Sequence, residues 1–134
     1  MRYGFIGCGN MGGAVARAVC RGVGPENVVL ANRTQAKAEA LAEALGCRAA
    51  TNDVVAQDCD VIVLGVKPQM MADMLACIAP ILAKRSGRFV LLNICLTDRL
   101  QEVKLENKAL LAKGTRLGTI LVGYLFNAFQ FIFI

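Results

Sequence analysis

Histidine is missing from all 134 residues, and so is tryptophan. The first absence removes the commonest acid–base side chain near neutral pH and one of the usual zinc ligands. Six cysteines remain, Cys8, Cys20, Cys47, Cys59, Cys77 and Cys95, but no two form a C-x-x-C pair, so no metal site is expected. The apolar start, Met1 to Ile6, is too short for a signal peptide and runs straight into a glycine-rich turn. Free thiols without an export signal read as cytoplasmic. Basic residues are scattered (Arg2, Arg17, Arg21, Lys37, Arg48, Lys84, Arg88) and are not interleaved with aromatics, which argues against a nucleic-acid partner. The modest net charge of +5 fits an anionic cofactor as well as anything else. The length allows one ordinary domain with a real core.

What is present is a phosphate turn in its proper setting. Gly7-Cys8-Gly9-Asn10-Met11-Gly12 follows a short apolar strand, Tyr3 to Ile6, and precedes a helix-patterned stretch. In such a G-x-G-x-x-G turn the first glycine permits the tight bend and the second lets a pyrophosphate approach the backbone. The third lets helix and strand pack closely. Phosphates would then meet free N–H groups at the positive end of the helix dipole. A glycine turn without ligand is the alternative. Cys8 could be activated by the helix N-terminus, but it fits better as a small side chain in a tight turn.

The next apolar run, Val28 to Ala31, reads as the second strand. Where a carboxylate would hold a free ribose 2′-hydroxyl, this chain has Asn32-Arg33-Thr34, which suits a 2′-phosphate. Arg33 would offer its planar fork of donors, with Asn32 and Thr34 as neutral donors. Thr34 could also cap the following helix, and Arg33 could be a plain surface charge. The cofactor expected is NADP(H), with NAD(H) possible.

Helical spacing of Met11, Val15, Ala18 and Val19 predicts an apolar face on the first helix. Ala38, Leu41, Ala42 and Leu45 do the same for a second helix over Gln35 to Leu45, with Gly46 placed to end it. Cys47 to Ala50 is a short third strand, Asn52 to Gln57 a brief helix, and Val61 to Val66 a central strand buried on both faces. Met71, Met74, Leu75, Ile78 and Leu82 mark another helix that Pro80 is expected to break or restart. The methionines read as core. Phe89 to Ile94 is a fifth strand. This alternation predicts an α/β fold: a doubly wound parallel sheet of order 3-2-1-4-5 with helices on both faces.

Thr97 can cap a helix from Asp98 to about Leu111, ended by Gly114. Leu117 to Ile134 then carries no charge, and four of the six phenylalanines lie between Phe126 and Phe133. Eighteen uncharged residues are near the short limit for a membrane span. Gly118, Gly123, Asn127 and Gln130 interrupt them, so a membrane anchor is not the preferred reading. A sixth strand over Thr119 to Val122 with an apolar tail is preferred, and such a tail could drive self-association.

Gly4 to Gly12, Asn32-Arg33-Thr34, Asn52 and Val66-Lys67-Pro68-Gln69 together resemble the N-terminal Rossmann domain of pyrroline-5-carboxylate reductase, over roughly Met1 to Val103. That family reduces 1-pyrroline-5-carboxylate to L-proline with NADPH or NADH, the last step of proline biosynthesis. The opening motif is shared with hydroxyacid and imine reductases, whereas Val-Lys-Pro-Gln is more specific. The resemblance implies that Ile6, Gly7, Cys8, Gly9, Asn10 and Met11 hold the pyrophosphate, with Gly12 closing the turn. Asn32, Arg33 and Thr34 would hold the adenosine phosphate, Asn52 would sit beside the cofactor, and Val66, Lys67 and Pro68 would line its ribose and nicotinamide side. Lys67 could also be a surface charge.

Two departures stand out. Asn93-Ile94-Cys95 runs into Leu96-Thr97, about two residues short of the family's turn beside the nicotinamide, and Leu105 to Ile134 matches neither the family's next strand nor its helical dimerisation domain. The expected organisation is a dinucleotide-binding domain over 1–104 and an atypical tail over 105–134. No catalytic residue is assigned. The readings that follow are a pyrroline-5-carboxylate reductase present as its cofactor half, an NADPH-binding module without chemistry of its own, or part of another imine or hydroxyacid reductase. An imine substrate would bind only where a substrate domain is supplied.

Overall fold

The computed structural model describes residues 1–94 and 130–133. In chain order the elements are β1 (Tyr3–Ile6), α1 (Asn10–Val23), a 3-10 turn (Pro25–Asn27), β2 (Val28–Ala31), α2 (Gln35–Leu45), β3 (Arg48–Ala49), α3 (Asn52–Asp58), β4 (Val61–Leu64), α4 (Pro68–Lys84), β5 (Val90–Asn93) and β6 (Gln130–Phe133). The sheet order is β3-β2-β1-β4-β5-β6. The first five strands are parallel in the doubly wound order the sequence predicts, and β6 runs antiparallel beside β5, from Asn93↔Gln130 to Val90↔Phe133. The expected helix after Thr97, the strand over Thr119 to Val122 and the boundary at 104/105 lie outside the described residues.

Alternate residues of each central strand feed two cores. Phe5, Leu30 and Val63 pack with Ala16, Cys20, Ala38 and Ala42 of α1 and α2. Ile6, Ala31 and Leu64 pack with Val55 of α3 and with Met71, Met74, Leu75, Ile78 and Leu82 of α4. The period of two in the strands therefore sends consecutive side chains to opposite helical layers. The α4 methionines are core, as their spacing predicts.

Two helix expectations need correction. On α1 the buried residues are Gly12, Gly13, Ala16 and Cys20; Val15 and Val19 flank them half-buried, while Met11 and Ala18 are exposed. Small side chains face the sheet because the helix begins almost in contact with it, which turns the larger apolar residues outward. Pro80 does not break α4, which runs unbroken from Pro68 to Lys84. Pro80 cannot bond the carbonyl of Ala76, but both residues are exposed, so water can satisfy that oxygen while five buried side chains hold the helix down.

The far end of the sheet is fastened by Arg85. Its guanidinium donates to the carbonyls of Ala56 (2.8 Å) and Cys59 (2.7 Å), satisfying the end of α3, and lies 5.0 Å from the Phe89 ring centroid.

Candidate dinucleotide site

β1, β2 and β4 end level with one another, since Ile6 pairs with both Ala31 and Leu64. The three turns that leave these ends, together with the last residue of β1 and the first turns of α1 and α4, hold thirteen of the fourteen residues singled out in the sequence; Asn52 opens α3, beyond β3.

Three glycines make the central turn possible. Gly7 has φ +95°, in the left-handed region that favours glycine. A Cβ on Gly12 would collide with the Gly7 carbonyl oxygen, and one on Gly65 would lie 2.6 Å from that same oxygen. Backbone bonds seal the junction: Gly7 N–H donates to Ala31 O (2.9 Å) and Gly65 N–H to Ile6 O (2.8 Å). Gly65 lies outside the fingerprint and inside the run Val61 to Val66 expected as one strand; β4 ends at Leu64 instead, and the glycine after it is the signal for the close approach.

Gly9 differs from these three. Its backbone is ordinary (φ −70°, ψ −162°), and a Cβ built there would meet nothing within 4 Å. No packing within the described residues explains a glycine at this position. The backbone there is open to close approach, which is what the second glycine of the fingerprint offers a pyrophosphate.

The helix starts around this mouth are open to anions. Helices α1, α2 and α4 each begin without a side-chain cap and without an acidic residue in the first turn. Away from them, α3 is capped by Thr51, whose hydroxyl accepts from Val54 N–H (3.4 Å), and carries Asp53 in its first turn. Free N–H groups and an uncompensated positive dipole are therefore concentrated at the β1 mouth. Thr34 occupies the N-cap position of α2, but its hydroxyl does not cap the helix, contrary to one of its two expected roles.

Side chains also tie the turns together. Asn32 accepts from Cys8 N–H at 3.0 Å through its carboxamide oxygen and donates to Thr34 O at 3.2 Å. Cys8 donates its thiol to Ala31 O (3.3 Å), and desolvation pushes its pKa up to about 11. A raised pKa leaves the thiol protonated at neutral pH, so the tight-turn role of Cys8 prevails over a reactive one. Exposed Arg33 reaches across the mouth to Met70, where a guanidinium N–H meets Sδ at 3.5 Å. Met11 is exposed at the start of α1, Val66 is half-buried, and Lys67 and Pro68 are exposed as N-cap and first residue of α4. An open groove of about 560 Å³ leads away between α1 and α2, with Gly9 and Asn10 at one end and Arg17 and Lys37 among its lining residues, none of which is acidic. In the sequence those two cations read as scattered; only the packing of α1 beside α2 brings them together.

This architecture defines an NAD(P)-binding Rossmann-fold oxidoreductase domain. The chain belongs to the family described as NADP oxidoreductase coenzyme F420-dependent, whose model matches residues 2–90. Within that span it is homologous to pyrroline-5-carboxylate reductases. The enzyme of Vibrio alginolyticus is 36% identical over 74 residues, which cover 54% of this chain and 27% of that protein. Pyrroline-5-carboxylate reductase 3 of Rattus norvegicus is 35% identical over 82 residues, 60% of this chain and 30% of the relative. The chain thus spans less than a third of these curated relatives. An imine reductase from Streptomyces aurantiacus superposes with a TM-score of 0.66 at 26% identity, over 85% of this chain and 38% of that one.

Proposed function

We propose that the chain binds NADPH at the β1 mouth and serves as the cofactor-binding part of a reductase acting on 1-pyrroline-5-carboxylate. The observation that carries the nucleotide reading is Gly9, a glycine the fold does not require, set among three uncapped helix starts. The pyrophosphate would lie on the N–H groups that open α1, held by the turn from Ile6 to Gly12. Arg33, Thr34 and Lys37 would meet the 2′-phosphate, with no carboxylate nearby to select a free hydroxyl. In this reading Asn32 acts mainly by joining the turns, while Asn52, Val66, Lys67 and Pro68 border the rest of the cofactor. Bound NADPH supplies a hydride; the protein's part is to hold that donor in a fixed orientation.

The substrate reading rests on the curated relatives and on Val66-Lys67-Pro68-Gln69. The likeness to an imine reductase favours the same wider chemistry, reduction of a C=N bond, over a hydroxyacid substrate. A cytoplasmic setting suits both. The described cysteines are all free thiols, and no helix among the described residues is long and apolar enough to cross a membrane.

The second reading is a nucleotide-binding module without turnover, which needs only the Gly9 turn and the uncapped helix starts and no substrate site. Assaying NADPH oxidation with 1-pyrroline-5-carboxylate, beside NADPH titration of the same preparation, separates the two. Saturable binding with proline formation supports the reductase reading; binding without turnover leaves the module; no binding overturns both.

A further inference from the structure

The two edges of the sheet are built differently. On one side β3 is two residues long, Arg48–Ala49, and its arginine is exposed. A short, charged edge resists pairing with a further strand. On the other side β6 is outermost among the described residues. Its four residues, Gln-Phe-Ile-Phe, include no charge, no proline and no glycine, and no charged side chain occurs from Leu117 to Ile134. Phenylalanine and isoleucine favour strands. β6 bonds to β5 along one side, so along the described sheet its outward N–H and C=O groups form a template for one more strand.

The strand that fits this edge is β6 itself. Antiparallel pairing has a two-fold axis, so a strand can complement a second copy of itself. With the axis between Phe131 and Ile132, Gln130 is level with Phe133 of the copy and Phe131 with its Ile132, and all four residues pair. Like charges, the usual penalty when identical strands meet, are absent. A charged partner strand would give up hydration here for no opposite charge. We propose that β6 pairs with β6 of a second copy of this chain, joining two six-stranded sheets into one. Register then fixes how the copies are arranged. Gln130 is level with Asn93, Leu64 and Ile6, at the end of the sheet where the Gly9 turn opens. β6 runs away from that end and its antiparallel copy runs toward it. The two mouths therefore open at opposite ends of the joined sheet, and the pairing covers neither.

The test is sedimentation equilibrium of the full chain from micromolar to millimolar concentration, with amide hydrogen exchange over 130–133 at both limits. Four paired residues make less than the about 1,200 Å² of a stable interface, so a weak dimer is expected, with the mass doubling as concentration rises. Outward amides exchange from the monomer, so they slow about tenfold where nine-tenths of the chain is dimeric. Phe131→Lys and Ile132→Lys, which address opposite faces of the strand, each return the mass to that of a monomer. Exchange in the unaltered chain decides the matter even where these variants fold poorly. Saturating NADPH leaves the dimerisation midpoint in place. A single mass at every concentration, or a doubled mass without slowing at 130–133, would overturn the pairing. So would mass that grows without limit, which marks open-ended aggregation. Slow exchange at 130–133 in the monomer would overturn it too, because the chain's own residues would then cover the edge. A midpoint moved by NADPH would contradict the opposed mouths.

Discussion

Cys8 N–H donates to the side-chain oxygen of Asn32 at 3.0 Å, across 24 residues of sequence. That bond ties the turn after β1 to the turn after β2. Asn32→Ala is predicted to cost about 1–2 kcal/mol of stability, because the bond is partly buried and its donor is left without its protein partner. It should also weaken NADPH and NADH together. Denaturant unfolding and paired titrations check this; loss of NADPH alone would show that Asn32 contacts the 2′-phosphate directly.

Gly9 and Gly12 are predicted to separate binding from folding. Gly9→Val enters open space in an extended backbone, so its unfolding midpoint should stay near that of the unaltered chain while affinity for either nucleotide is lost. Gly12→Ala drives a methyl group into the Gly7 carbonyl and should cost about 1–3 kcal/mol through overpacking. Thermal melts and NADPH titrations on the two variants decide it. A Gly9→Val chain that still binds would reduce the turn to a structural feature.

Arg33→Asp replaces the cation proposed to meet the 2′-phosphate by the carboxylate that favours a free 2′-hydroxyl. NADPH affinity should fall by about 1.5–3 kcal/mol, the worth of hydrogen bonds to a charged group, while NADH changes far less. Equal losses would contradict the 2′-phosphate assignment.

Alkaline pH should loosen the fold through its buried and half-buried thiols. Desolvation raises the pKa of Cys8 and Cys59 from 9.0 to about 11 and that of Cys47 to about 12. In this range the unfolded chain releases thiol protons that the folded chain retains. Their contribution is complete below pH 9 and is lost as pH rises toward 11 and beyond. Urea unfolding between pH 8 and 11 should show that decline, and Cys59→Ala should make it shallower; an unchanged slope in that variant would mean Cys59 does not titrate in this window.

Much of this was legible in the chain because local rules and tertiary packing agree. Tyr3 to Ile6, Val28 to Ala31 and Gln35 to Leu45 have the limits read from sequence, and Gly46 ends α2 in the left-handed conformation expected of it (φ +70°). The five apolar positions read on α4 are its buried residues. What failed depended on distances between elements. The face of α1 is decided by how closely Gly12 approaches Gly7 and Gly65, a constraint that helical spacing does not contain. The unbroken helix through Pro80 depends on which side of α4 faces water. The bridge from Arg33 to Met70 and the pairing of Arg17 with Lys37 along one groove join residues far apart in sequence, with no shared motif to announce them.

NADPH binding at the Gly9 mouth is what the proposed function requires first. The direct measurement is a fluorescence titration of NADPH with the unaltered chain, followed by displacement with 2′,5′-ADP. An NADPH site at Gly9 gives saturable binding at one site per chain that 2′,5′-ADP displaces and 5′-AMP displaces far less well. Absence of saturable binding, or displacement equal for the two competitors, would contradict it.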